Sequence, residues 1–185
     1  VVEEALLELN SEIINNLKNL QINAESVAPN NKNIIKIEPE KKELGFVGTP
    51  KEIDLNDILK MVKEKKIPII VPLGTSNEKK IYNINADITA GAVAKKLCSR
   101  RLLLMTDVEG VLDKNNKIIL EINSLIAGRM LKDGSISGGM IPKINTCLDA
   151  VSNGVTGVVI VDGRKPHSIL FELFSDKGAG TLIRK

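Results

Sequence analysis

From Asp54 onward the sequence alternates short aliphatic runs with segments of helical apolar spacing, and this alternation constrains the fold most. Residues 67–73, 102–105 and 155–161 are dominated by Ile, Val and Leu without polar alternation, the pattern of strands covered on both faces. Residues 54–66, 86–97, 124–131, 142–152 and 166–174 read as helices, with Asp54 placed to cap the first. A hairpin is expected around Lys114-Asn115-Asn116 and a last short strand at 180–183. Strands separated by helices imply an α/β fold: a mostly parallel open sheet with helices on both faces.

Before Asp54 the pattern is different. Residues 1–20 carry Val2, Leu6, Leu9, Ile13, Ile14 and Leu17 at the spacing of an amphipathic helix. Residues 21–43 are polar and rich in Asn and Lys, with one apolar piece at Ile34–Ile37, so a small strand-and-loop excursion is expected. Gly45-Phe46-Val47-Gly48 reads as a glycine-punctuated strand or hairpin. The change divides the chain into a lobe of residues 1–53 and a lobe of residues 54–185.

Composition excludes several classes of function. With 26 basic and 23 acidic residues the net charge is +3, too small and too scattered for a nucleic-acid footprint. Aromatic residues make up 2%, with no Trp, so Ile, Leu, Val and Ala must fill the core and no base-stacking platform can be built. Cys98, Cys147 and the single His167 supply neither a disulfide framework nor a zinc site, which fits a reducing compartment and no metal cluster. His167 reads as an ordinary helix-start residue, since nothing places a Ser or Cys nucleophile beside it. The apolar runs are far shorter than a membrane span, and no secretory signal is present.

Three polar segments are candidates for the carboxyl ends of strands, where open α/β sheets bind their ligands. In Tyr82-Asn83-Ile84-Asn85-Ala86-Asp87, two amides two residues apart can donate to a carboxylate or phosphate, and Asp87 opens a helix. An Asn-rich corner with an Asp cap accounts for the same residues. In Leu104-Met105-Thr106-Asp107-Val108-Glu109-Gly110-Val111-Leu112-Asp113, a buried strand delivers Asp107 to its carboxyl end and Gly110 permits a tight loop. That loop suits a nucleotide's base and ribose, or a plain glycine turn. In Ser135-Ile136-Ser137-Gly138-Gly139-Met140-Ile141-Pro142-Lys143, a glycine pair precedes a helix start that favours anions. Lys143 stands against the helix dipole there, a placement that makes sense with a phosphate between them; a solvated surface lysine is the other reading. Neither a Walker A pattern nor G-x-G-x-x-G is present.

Taken in order, these three segments resemble the acetylglutamate kinases of the amino acid kinase superfamily. Leu44-Gly45-Phe46-Val47-Gly48, Asp162-Gly163-Arg164-Lys165-Pro166-His167 and Gly178-Ala179-Gly180-Thr181 are similar to the same family, so the likeness runs over nearly the whole chain. The resemblance implies a three-layer αβα fold and phosphoryl transfer from MgATP to the γ-carboxylate of N-acetyl-L-glutamate, an early step of arginine synthesis. It implies that Asn83 and Asn85 bind the acetylglutamate, that Asp87 organises the catalytic lysines and that Lys143 neutralises the transferring phosphoryl group. Asp107, Val108, Glu109, Gly110, Val111 and Leu112, with Ser135, Ile136, Ser137, Gly138, Gly139 and Met140, would hold ATP, and magnesium would arrive with it. A carboxylate acceptor is ionised at neutral pH, so no general base is required. Catalysis then reduces to positioning and charge cancellation.

The resemblance also implies that residues 1–53 belong to the substrate-side lobe and residues 54–185 to the ATP-binding lobe. The family's Gly-rich loop, second catalytic lysine and substrate-gripping arginine have no counterpart in the sequence. Residues 1–19 resemble the helix that follows them, without the family's glycine near Glu8. The chain therefore reads as the C-terminal, ATP-binding portion, with the N-terminal part of the fold missing, and as inactive or nearly so by itself. A non-catalytic nucleotide-binding or regulatory module is the alternative reading. The tail is similar to the arginine-inhibited branch, with Lys177 where an acidic residue is usual, which makes arginine a candidate effector. A homo-oligomer and a cytoplasmic or organellar location are further expectations.

Overall fold

The computed structural model describes residues 1–176 and 178–185. The chain packs as two compact units, 1–89 and 90–185. The shift of pattern at Asp54 therefore falls inside the first unit.

The first unit opens with α1 (Val2–Asn19), followed by β1 (Ala24–Val27), β2 (Ile35–Pro39), β3 (Gly48–Ile53), α2 (Asn56–Lys63), β4 (Ile67–Ile70), β5 (Leu73–Thr75) and β6 (Ile81–Asn83). β1 and β4 form a parallel pair, while β3-β2-β5-β6 forms a second, mixed sheet. The aliphatic run at 67–73, expected as one strand, serves both sheets. Pro72 has no N–H to continue the ladder, so the chain leaves β4 at Val71 and re-enters at Leu73. α1 is pinned on β4 by the buried Asn10, whose Nδ2 donates to the Ile69 carbonyl at 3.0 Å. Leu6 and Leu7 of α1 pack on Ala28, Val71 and Leu73. Leu9 and Ile13, counted in the apolar stripe from sequence, lie on the exposed side.

α2 begins two residues later than expected. Asp54 is not its cap but closes a turn just before it, accepting from the Asn56 N–H at 2.9 Å. The helix also ends three residues early, because Lys65 takes a left-handed conformation and the Lys66 N–H bonds back to the Met61 carbonyl.

The boundary between the units falls within α3 (Ala86–Lys96), after Thr89. The second unit continues with β7 (Leu102–Thr106), β8 (Glu121–Ile122), α4 (Ser124–Lys132), α5 (Met140–Ser152), β9 (Val158–Asp162), α6 (Ser168–Phe174) and β10 (Gly180–Ile183). Its sheet runs β7-β9-β10-β8, and β9, buried at every residue, is interior. Ile144, Cys147, Ala150 and Val151 of α5 share one core with Leu104, Val158, Ile160 and Ile183. Of the i, i+3, i+4, i+7 positions 144, 147, 148 and 151, Leu148 is only partly buried against this core, while Ala150 is buried in it.

Among the described residues, four of the seven strand pairings are parallel and three antiparallel. The connections between β2 and β3 and between β5 and β6 are too short for a crossover, which forces reversal. The α/β class stands, with mixed sheets. No described helix is long and apolar enough to cross a membrane.

Candidate active site

Each of the three polar segments lies at the carboxyl end of a strand or at a helix start. In the first unit, Asn83 is the last residue of β6 and is half-buried; its N–H donates to the Phe46 carbonyl at 2.8 Å. It lines a hollow of about 560 Å³ together with Phe46, Leu73, Lys80, Ile81 and the first residues of α1. Asn85 does something more local. Its Oδ1 accepts from the N–H groups of Asp87 (2.9 Å) and Ile88 (3.2 Å), satisfying two of the donors at the start of α3. The oxygen is thereby spent on the helix, and only its amide nitrogen is left to meet a ligand. Asp87 sits in the first turn of α3, half-buried, where the helix dipole favours its charge.

In the second unit, the loop after β7 is shaped by two buried residues. Gly110 adopts φ 147°, and a Cβ there would stand 2.6 Å from Thr181 Oγ1. The same hydroxyl accepts from the buried Val111 N–H at 2.8 Å. Thr181 is fully buried in β10 and so carries the loop. Val111 itself is 2% exposed and belongs to the core, so only its backbone can face a nucleotide. Asp107, Val108, Glu109 and Leu112 are exposed. Asp107 accepts from Thr106 Oγ1 at 3.2 Å, and Glu109 is clipped by Lys165 Nζ at 2.6 Å.

The Lys165 contact brings in residues that carried no assigned role in the sequence. Asp162 pairs in register with Thr106 and ends β9; its carboxylate is buried and accepts from Arg164 Nε and Nη2, both at 3.0 Å. The guanidinium, with help from the Arg164 N–H, holds the Asp162 carboxyl down at about 2. A cationic pair, Arg164 and Lys165, therefore stands beside the acidic loop 107–109. The Asp-Gly-Arg-Lys order was the signal available in sequence; that it lies beside Asp107 follows only from the β7–β9 register.

The third segment leads into α5. Ile136 is buried in the core, so like Val111 it offers only backbone. Ser137, Gly138 and Gly139 are exposed, and Ser135 and Met140 are half-buried. Gly138 adopts φ 55°, and nothing lies within 4 Å of a Cβ built on either glycine, so this stretch is open to a ligand's approach. α5 starts at Met140, two residues earlier than expected, which places Pro142 third and Lys143 fourth in the helix. Proline is tolerated at that point because the first N–H groups have no partner within the helix. Lys143 is half-buried near the positive end of the dipole. Lys177 lies outside the described residues.

The model of the amino acid kinase family matches residues 2–162. An acetylglutamate kinase of Pelagibacter ubique is 51% identical over 185 residues, all of this chain and 64% of that protein. One from Nitrobacter winogradskyi is 52% identical over 143 residues, 77% of this chain and 48% of that protein. The chain thus spans about half to two-thirds of the length of these curated relatives. Among solved structures, smu.665 of Streptococcus mutans UA159 superposes with a TM-score of 0.82 at 31% identity, covering 97% of this chain and 69% of that one. A family match across almost the whole chain, on a shared fold, leaves one assignment: the chain belongs to the amino acid kinase family.

Proposed function

We propose that this chain is the nucleotide-binding portion of an acetylglutamate kinase, which transfers the γ-phosphoryl of MgATP to the γ-carboxylate of N-acetyl-L-glutamate in arginine synthesis. The reading is carried by one observation: along its whole length the chain is 51% identical to a protein named acetylglutamate kinase.

The local chemistry supports it. ATP lies against the exposed side chains of Asp107, Val108, Glu109 and Leu112 and the backbone of Gly110 and Val111. On the other segment it meets Ser135, Ser137, Gly138, Gly139 and Met140, and Ile136 through its backbone. Lys143 cancels charge developing on the transferred phosphoryl oxygens, helped by the dipole of α5. Asp87 orients the cationic side chains of the site, and Asn83, with the amide nitrogen of Asn85, donates to the acetylglutamate. Magnesium enters bound to the phosphates of ATP. No residue has to act as a base, because the acceptor carboxylate is already ionised. Arginine as an effector, assembly as a homo-oligomer and a cytoplasmic or organellar location belong to the same proposal.

The test is a pair of measurements. Calorimetry with ATP and magnesium on this chain is expected to detect binding. In a chain extended to the length of the relatives, Lys143→Ala is expected to cut turnover by about two to four orders of magnitude while ATP still binds. Unchanged turnover would remove Lys143 from catalysis, and binding without turnover in the extended wild type would favour the regulatory module. For the chain as given, little or no acetylglutamate-dependent ADP release is expected.

A further inference from the structure

The two nucleotide segments of the second unit are fastened to each other by a contact that the function above does not use. After Leu112 the chain turns through a tightly wired hairpin. Asp113 Oδ1 accepts from the N–H groups of Asn115 (2.8 Å) and Lys117 (2.9 Å), and the Asp113 N–H donates to the Lys117 carbonyl at 2.8 Å. Leu112 bridges Ile118, and the Ile119 N–H donates to the Val111 carbonyl at 2.8 Å. Residues 111–119 are therefore tied to one another, with Lys114 at the tip.

Lys114 Nζ reaches 3.1 Å from Asp133 Oδ2. Asp133 closes α4, and its other oxygen accepts from the Ser135 N–H at 3.0 Å and Ser135 Oγ at 2.5 Å. One carboxylate thus grips the hairpin of the first nucleotide segment with one oxygen and the opening residue of the second with the other. Beyond Ser135, the buried Ile136, whose N–H donates to the Met130 carbonyl at 3.0 Å, anchors the segment before the open glycine pair.

We propose that Lys114 and Asp133 are positioning residues for nucleotide binding, a latch that sets the spacing between segments 107–112 and 135–140. The proposal rests on the nucleotide reading above. Both side chains are substantially exposed, at 69% and 45%, so the pair adds little to overall stability and its effect belongs to the geometry of the two loops.

The experiment compares Lys114→Met, Asp133→Asn, the double variant and Lys114→Arg with the wild-type chain. Three readouts are ADP affinity by calorimetry with magnesium present, the melting temperature, and amide exchange of the unliganded chain. The side-chain amide introduced by Asp133→Asn keeps an acceptor for the Ser135 N–H, so the turn is spared. Each single variant is expected to weaken ADP binding about three- to tenfold, and the double variant no more than either. Lys114→Arg is expected to keep wild-type affinity, and melting to move by no more than about 3 °C. Exchange is expected to speed up at residues 113–117 and 135–139 together, whichever partner is removed. Wild-type affinity in the single variants, or losses that add, would overturn the latch. A wild-type chain that binds no ADP would overturn the nucleotide reading instead. The exchange rates decide the latch even then: acceleration confined to the mutated segment, or none, ends it.

Discussion

At Gly110 a single methyl group would collide with the Thr181 hydroxyl, and that hydroxyl is the partner of the Val111 N–H. Loop 107–112 is thus held by a residue seventy positions away in the chain. Thr181→Val keeps the shape of the side chain and strands a buried N–H donor. It is expected to cost about 1–3 kcal/mol in urea unfolding. It should also weaken nucleotide binding, whereas Thr181→Ser should spare both by retaining the hydroxyl. Equal stability in the Val and Ser variants would show that the loop does not depend on this bond. The requirement for glycine at 110 was legible as a tight turn. Its partner was not, because no local rule couples residue 110 to residue 181.

Helix ends are where local pattern and structure part most often. α1, α2 and α3 all finish in the same way: the residue after the cap turns left-handed, and the next N–H reaches back to a carbonyl of the last turn. Glycine is the usual occupant of that position, but this chain uses Gln21, Lys65 and Cys98. Without the glycine signal, the sequence put the end of α2 three residues too late. The strain also makes a prediction. Gln21 is exposed at φ 59°, so Gln21→Gly is expected to stabilise the chain by about 0.5–1 kcal/mol. A drop in the midpoint of thermal unfolding would mean that the Gln21 side chain contributes more than its backbone strain costs. At α5 the glycine, Gly154, is present at φ 108°, and the predicted end of that helix was right.

At the scale of the whole molecule, acid is the simplest probe of how the pieces are tied. Asp162 and Asp133 are both held at about 2, the first chiefly by the Arg164 guanidinium and the second chiefly by the Ser135 hydroxyl. Lysines lower Glu25, Glu64 and Glu78 as well. A carboxyl lowered by folding contributes stability above its unfolded value near 4, and that contribution is lost as the pH falls through its folded value. Stability measured by urea unfolding is therefore expected to fall steeply between about pH 4 and pH 2. Asp162→Asn should flatten that fall, and a profile unchanged by the substitution would show that the Arg164 pair does not survive in solution.

The same distinction separates what was legible from what was not. The α/β class, the six α-helices among the described residues and the three polar segments could be read from sequence, because apolar periodicity, glycine and capping residues act over a few neighbours. Tertiary packing decided which of the proposed contact residues can offer a side chain. It buried Val111 and Ile136 in the core and set the cations Arg164 and Lys165 beside Asp107 and Glu109. It also broke the run at 67–73 between two sheets, with Pro72 at the break. The sequence by itself determined where the chain turns polar at the ends of its strands. Only the folded structure decided which of those polar groups face outward, because burial and charge pairing depend on residues that are distant in the chain and adjacent in space.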